Sequence, residues 1–375
     1  VVEPTEEPVV VEPTEEPKEL GTAEIDATAV PPSDVWNPIL ATTRAKPAPP
    51  AASCPAGTNP NAPGPADQDR PEAGGSFLLA AVFDRHTGRI VYVDTVGETW
   101  TFDVCTNTWH RMNPTGVMIG DLSAGLVYDV DSDLTVGLGW EHISVYDANT
   151  NTWTQASNDT LGNDDGRNIP IGAVYDPISG LIITTDLTDS YLDTWAYDVD
   201  TNTWTLIGRL WEEQGEDYIL FELLGYSQET DRLIFTSLNN ITALVDPRTG
   251  DQTLITTPTP GISLSVWPKA HYGPAADTVY VAEGVWCSAF AGFGTRFPDQ
   301  ICGFDLGTST WTSCFAFPGG SRYVTFAAMV GDPINNRLVL INGLYGNWWA
   351  LADGNVWTID IDNGELTELL APSDE

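Results

Sequence analysis

Along residues 76–370, apolar and polar positions fall into short runs separated by turns rich in Asp, Asn, Gly and Pro. Such runs are too short for helices and have the length and turn chemistry of β-strands. The first four runs are Phe77–Asp84, Arg89–Asp94, Thr99–Asp103 and Thr108–Met112. We label the members of such a set a, b, c and d. Strand a closes repeatedly on an apolar or aromatic residue before a polar turn: Val82-Phe83-Asp84, Val127-Tyr128-Asp129, Val174-Tyr175-Asp176, Gly225-Tyr226-Ser227 and His271-Tyr272-Gly273, with Met329-Val330-Gly331 beginning a sixth set. The following turn, as in Asp176-Pro177-Ile178-Ser179-Gly180, supplies Pro and Gly where backbone angles are demanding. Strand b is then nearly continuous in apolar residues (Leu181-Ile182-Ile183), the pattern of a strand covered on both faces.

The c–d element fixes the period. Phe102-Asp103…Trp109, Tyr146-Asp147…Trp153, Tyr197-Asp198…Trp204, Val245-Asp246…Gln252, Phe304-Asp305…Trp311 and Ile359-Asp360…Leu366 share one frame, and their Asp residues lie 44, 51, 48, 59 and 55 positions apart. A period near 50 built of short strands predicts a radial array of sheets. The expected fold is all-β: a six-bladed β-propeller of four-stranded antiparallel blades over 76–372, preceded by a disordered acidic Pro-rich tail over 1–75. Each blade begins with its own strand a, so the ring is expected to close by packing of blade six on blade one and not by a shared strand.

Within the c–d turn, the Asp carboxylate is placed to accept backbone N–H groups in an Asx-type cap. The Trp that follows is expected to pack its broad face between neighbouring sheets. Tyr197-Asp198-Val199-Asp200-Thr201-Asn202-Thr203-Trp204-Thr205-Leu206 resembles the Kelch repeat, in which a strand-c Tyr and a strand-d Trp recur once per blade. The resemblance spans the repeat region and implies a propeller of the galactose oxidase central-domain type. The Gly-Gly pair that family carries after strand b is absent here; Asp94-Thr95, Thr185-Asp186 and Ala282-Glu283-Gly284 stand in its place. Galactose oxidase holds copper with Tyr and His, but His86, His110, His142 and His271 do not form a matching set on adjacent blades, so that centre does not carry over.

Residues 1–75 lack apolar periodicity, and Val2–Pro8 recurs as Val11–Pro17, a Pro/Glu-rich unit suited to an extended stalk or linker. Val35–Leu40 is its one candidate for packing on the propeller rim. The formal charge is −38, with three Lys and twelve Arg against 53 acids. Such a surface repels phosphate, which argues against nucleic acid and anionic membranes as partners. No apolar run approaches the ~20 residues that span a bilayer, so direct membrane insertion is not expected. Of the five cysteines, a hairpin about Gly307-Thr308 sets Cys302 opposite Cys314, with Cys287 near; Cys54 and Cys105 have no assigned partner. A disulfide there would fit an oxidising compartment, and with the stalk it predicts an extracellular or cell-surface-anchored protein.

In a meandering blade, the a–b and c–d turns leave on one face and the b–c and d–a connections on the other. The first kind is short here and the second long, so the long-loop face is where ligand contacts are expected. It gathers an aromatic sector, Trp286, Phe290, Phe293, Tyr345, Trp348 and Trp349, suited to a sugar ring or a protein surface. It also gathers an acidic sector, Asp159, Asp164, Asp165, Asp186, Asp189 and Asp193, suited to Ca²⁺ and its six to eight oxygen ligands. No catalytic signature is present, neither Gly-x-Ser-x-Gly, nor His-Glu-x-x-His, nor a Walker motif. The sequence therefore points to a binding or adhesion module for glycan or protein. The alternatives are a carbohydrate-active enzyme using carboxylates of the same face, or a structural surface-layer component.

Overall fold

The computed structural model describes Trp36, residues 50–71, and most of the chain from 80 to 371: 80–94, 96–116, 122, 125–139, 142–157, 170–187, 191–212, 221–237, 242–255, 269–273, 277–282, 300–316, 326–343 and 355–371. Twenty-four strands form six four-stranded antiparallel sheets, each a simple meander in chain order. Blade one is β1 (Ala80–Asp84), β2 (Arg89–Val93), β3 (Thr99–Asp103) and β4 (Thr108–Arg111); blade two is β5 (Gly125–Asp129), β6 (Leu134–Leu138), β7 (Ile143–Asp147) and β8 (Thr152–Ser157). Blade three is β9 (Pro170–Asp176), β10 (Leu181–Leu187), β11 (Tyr191–Asp198) and β12 (Thr203–Glu212); blade four is β13 (Phe221–Ser227), β14 (Arg232–Ser237), β15 (Thr242–Val245) and β16 (Gln252–Ile255). Blade five is β17 (Lys269–Gly273), β18 (Thr278–Ala282), β19 (Gln300–Asp305) and β20 (Thr310–Ala316); blade six is β21 (Phe326–Asp332), β22 (Arg337–Gly343), β23 (Val356–Asp360) and β24 (Leu366–Leu370). The first strands pack in sequence, β1 on β5, β5 on β9, β9 on β13, β13 on β17, β17 on β21 and β21 back on β1, so the ring is closed. The expected six-bladed propeller is the fold.

The core is divided among the seams. Six apolar clusters each join two neighbouring blades, as the Trp pattern requires. Trp109 and Trp153 lie buried in the seam with the preceding blade, and Trp204 and Trp311 pack there partly covered. Each ring also stacks on its own strand-c aromatic, with centroids 5.0 Å apart for Phe102–Trp109, 5.0 Å for Tyr146–Trp153, 4.8 Å for Tyr197–Trp204 and 5.3 Å for Phe304–Trp311. The c–d Asp caps are present in all six blades: Asp103, Asp147, Asp198, Asp246, Asp305 and Asp360 each accept backbone N–H groups of their own turn. Four residues after that Asp, the backbone is left-handed, at Asn107, Asn151, Asn202, Gly250, Ser309 and Gly364. The Asn of Thr-Asn-Thr-Trp is therefore more than a tolerated bend residue, since Asn and Gly adopt this conformation at low cost.

The ring has a part that the sequence did not reveal. Residues 50–71, placed by sequence in the stalk, lie along the seam of blades six and one. Cys54 is disulfide-bonded to Cys105 in the c–d turn of blade one, and Cys302 to Cys314 across β19–β20 as expected. Gly64 N–H donates to Leu369 of β24, and the Trp109 N–H of β4 donates to the Gln68 side chain. One segment thus touches both the last strand of the ring and the first blade. Trp36, from the one stretch expected to dock, sits against Gly208 and Gly250 and donates its indole N–H to the Pro247 carbonyl at 3.3 Å. The remainder of 1–49, and Cys287, lie outside the described residues.

His271 of β17 marks a second local adjustment. Blade six has Gly331 where the five other blades carry Phe or Tyr, and a Cβ at 331 would overlap the His271 ring. His271 keeps some solvent contact as a residue, but its ring is the part pressed into the seam. Burial pulls the imidazole down to about 4. Its folded-state value thus lies below the ~6.5 of an unfolded chain, so its contribution to stability is complete above pH ~6.5 and is lost as pH falls towards 4. The loss is on the order of 2–3 kcal/mol after allowance for the partial exposure. Urea unfolding at pH 7 and pH 4 will show a drop in wild type that exceeds the drop in His271→Gln by that amount. Equal drops in the two proteins would contradict a neutral, buried ring.

Candidate functional site

The two faces of the ring are built differently. Every a–b connection has four residues (85–88, 130–133, 177–180, 228–231, 274–277, 333–336), and c–d connections have four to six. The b–c and d–a connections reach 13 residues at 112–124 and 256–268 and 17 at 283–299. Short turns with internal caps leave little freedom, whereas long connections on a rigid ring can be varied without disturbing the core.

The short-turn face is locked by side chains between blades. Asp84, Asp129, Asp176 and Asp332 end their strands a in buried positions and accept backbone N–H groups of the a–b turn. The left-handed Asn side chains reach back: Asn151 Nδ2 donates to Met112 of blade one and Asn202 Nδ2 to Ala156 of blade two. Their Oδ1 atoms accept from Tyr146 and Tyr197, whose hydroxyls burial pushes up to about 12. Blade one has Phe102 at the Tyr position, which supplies no hydroxyl. Asn107 Oδ1 accepts instead from Arg337 of blade six, and Asn107 Nδ2 donates to the Pro60 and Ala62 carbonyls of the N-terminal segment. Asp133, bonded by Tyr128, Asn149 and His86, illustrates the electrostatics. Burial alone would raise its carboxyl, and those three hydrogen bonds together hold it below the usual range.

On the long-loop side, Asp94 is a structural acid. It accepts from Val96 N–H, Glu98 N–H and the Trp100 indole, and Arg111 lies over the Trp100 ring while pairing with Glu98. Of the acidic sector, the structure brings Asp186 and Asp193 together. They are cross-strand partners on β10 and β11, both buried, in a row that continues to Pro170 on one side and Arg209 on the other. Both carboxylates project from one face of the sheet at its loop edge. Asp159, Asp164, Asp165 and Asp189 lie outside the described residues, as do Trp286, Phe290, Phe293, Tyr345, Trp348 and Trp349. Among the described residues, no three His, Cys, Asp or Glu side chains are arranged to hold a metal ion. His142, on the same side, has its Nδ1 3.2 Å from the Gln155 amide. The residues that sequence reasoning missed are Gln68, Asn107 and Arg337. The signal available for them was the lone Cys54, embedded in a Pro- and Asn-containing stretch of the presumed stalk.

Two disulfides fit a non-reducing environment. Among the described residues, no helix is long and apolar enough to cross a membrane. No family model matches the chain, and no curated protein sequence matches it. Solved structures do resemble it. A protein from Lactobacillus plantarum is 13% identical, with a TM-score of 0.51 over 78% of this chain and 84% of that one. A protein of unknown function from Bacteroides thetaiotaomicron is 14% identical, with a TM-score of 0.49 over 80% and 73%. A chain of a mitotic checkpoint complex is 12% identical, with a TM-score of 0.48 over 88% of each. At such identities the likeness concerns the fold alone, and the chain is a six-bladed β-propeller whose long connections all leave on one face.

Proposed function

We propose that this propeller is a binding module displayed outside the reducing cytoplasm, engaging a protein or a glycan through its long-loop face. The observation that carries this reading is the asymmetry of the ring. All a–b and c–d turns are short, whereas the longest b–c connections, 283–299 and 344–355, hold Trp286, Phe290, Phe293, Tyr345, Trp348 and Trp349. Aromatic anchors on long loops dominate the energetics of protein interfaces and stack on sugar rings. The Kelch likeness of the c–d element is compatible with this use, and the two disulfides support display in an oxidising compartment. A carbohydrate-active enzyme is the second reading, favoured by the opposed Asp186 and Asp193, since paired carboxyls are what glycosidic cleavage needs. A bound Ca²⁺ at the acidic sector would serve either reading.

A glycan array and a pull-down from culture supernatant, followed by turnover assays on every hit, separate the readings. We expect Trp348→Ala/Trp349→Ala to weaken binding by roughly 10- to 100-fold, while Asp189→Asn leaves it within a few-fold and no product forms. Product formation that Asp186→Asn or Asp193→Asn abolishes would replace the module with the enzyme. Self-association with no ligand in either screen would favour a structural surface-layer role. The same binding assay in millimolar CaCl₂, against NaCl of equal ionic strength, tests the cation.

A further inference from the structure

Between neighbouring blades, a gap separates the left-handed residue of one c–d turn from the chain that precedes it in the ring. Three blades cross this gap with asparagine. Asn151 Nδ2 donates to the Met112 carbonyl at 2.7 Å and Asn202 Nδ2 to that of Ala156 at 2.6 Å, while Asn107 Nδ2 meets the N-terminal segment at Pro60 and Ala62. In blades four and six the same position is glycine, Gly250 and Gly364, with φ of 77° and 71°. Glycine supplies the backbone angle but no side chain to cross the gap. At both seams an aromatic ring takes the space instead.

At the seam of blades five and six, that ring is Phe315 of β20. A Cβ on Gly364 would lie 2.5 Å from Phe315 Cδ1, and the ring stacks on Tyr280 with centroids 6.2 Å apart. Phe315 stands four residues after Trp311 and opposite Ile301 on β19. The equivalent residue of blade three is Gly208, four after Trp204 and opposite Thr194 on β11. The seam of blades three and four therefore has glycine on both sides, and Trp36 fills the hole between them. A Cβ on Gly250 would lie 2.5 Å from Trp36 Cγ, and one on Gly208 would run into the six-membered ring of the indole. The indole N–H donates to the Pro247 carbonyl at 3.3 Å, and the half-buried ring packs on the apolar cluster of this seam.

A phenylalanine at 208 would close the gap from within the ring, as Phe315 does two blades on. Gly208 is not one of the left-handed glycines, so its backbone does not call for glycine. The pair of glycines makes physical sense as room for a side chain from elsewhere. We propose that blades three and four carry an indole-binding seat, and that Trp36 occupies it in cis as a latch of the N-terminal segment. The hole selects a flat ring, and the Pro247 carbonyl selects an indole over a phenyl, because only the indole brings a donor. This latch is separate from the Cys54–Cys105 bridge and depends neither on the long-loop face nor on the binding role proposed above.

Full-length oxidised Trp36→Gly tests the seat, with indole as the ligand and benzofuran as the same shape without a donor. Binding is read from the amide shifts of Gly208 and Gly250. Indole should bind this variant saturably, and bind wild type at least ~10-fold more weakly because the seat is already filled. Benzofuran should bind roughly 3- to 10-fold more weakly than indole, the effect of losing one hydrogen bond. Gly208→Phe, added to Trp36→Gly, should abolish indole binding. In the protein that keeps Trp36, Gly208→Phe should displace it and move the Trp36 indole N–H resonance to the position of a free indole, an arm that does not require Trp36→Gly to fold. No saturable indole binding to folded Trp36→Gly, binding that survives Gly208→Phe, or an unmoved Trp36 resonance overturns the proposal. Self-association of wild type that Trp36→Gly abolishes would put the indole of a second copy in the seat and overturn occupancy in cis.

Discussion

Replacing Arg337 by Met is expected to cost about 3–5 kcal/mol of folding stability, the loss seen when one member of a buried ion pair is removed. Arg337 and Asp332 have side chains only 2% and 0% exposed and lie 2.8 Å apart. The same guanidinium donates to the Pro60 and Val104 carbonyls at 2.6 and 2.7 Å and to Asn107 Oδ1 at 3.2 Å. One side chain therefore joins blade six, blade one and the N-terminal segment, and removing it leaves the buried Asp332 carboxylate without its counter-charge and takes one donor from each of two carbonyls. Lysine does not reproduce a fork of this shape, so Arg337→Lys should recover less than half of the loss. Urea unfolding under oxidising conditions measures both. A change below 1 kcal/mol in Arg337→Met would mean that the seam does not depend on this residue.

The second large effect belongs to the Cys54–Cys105 bridge. It closes a loop of 51 residues, for which the chain-entropy relation gives about 4 kcal/mol, against about 3 kcal/mol for the 12-residue separation of Cys302–Cys314. The two also differ in what they join. Cys302–Cys314 ties neighbouring strands already paired within one blade. Cys54–Cys105 attaches a segment that has little regular structure of its own and is held by hydrogen bonds to β4, β24 and the turns. Cys54→Ser/Cys105→Ser should therefore lower the unfolding midpoint further than Cys302→Ser/Cys314→Ser, and a peptide map should find 50–71 newly open to protease. The reverse order of midpoints would contradict a structural role for the segment.

The fold was legible in the sequence because its signal is repeated. Six copies of an Asp cap, a left-handed residue and a bulky strand-d residue leave one arrangement open, and Trp109, Trp153, Trp204 and Trp311 pack where their spacing places them. Ring closure was half legible. Blade six does pack on blade one without sharing a strand, but the seam is completed by 50–71. That segment has no apolar period to read because it docks largely through carbonyls, those of Pro60 and Ala62, met by Asn107 and, at Pro60, by Arg337. Apolar burial is a poor guide to such a segment, and disulfide pairing does not follow from cysteine positions alone. Of the candidate site, Asp186 and Asp193 could be placed together from their flanking strands. The aromatic set was recognised by residue type on long connections, which indicates a face and not a geometry.

The central claim is that residues 50–71 belong to the propeller and close its ring. Site-resolved amide hydrogen exchange on the oxidised full-length protein tests it most directly, through Gly64 N–H, bonded to the Leu369 carbonyl, and Trp109 N–H, bonded to the Gln68 side chain. Both amides should exchange at least ~100-fold more slowly than in an unstructured peptide, as opening would require the segment to leave the seam. Exchange of both at the unstructured rate, with β2 and β3 still protected, would show that the ring closes without it.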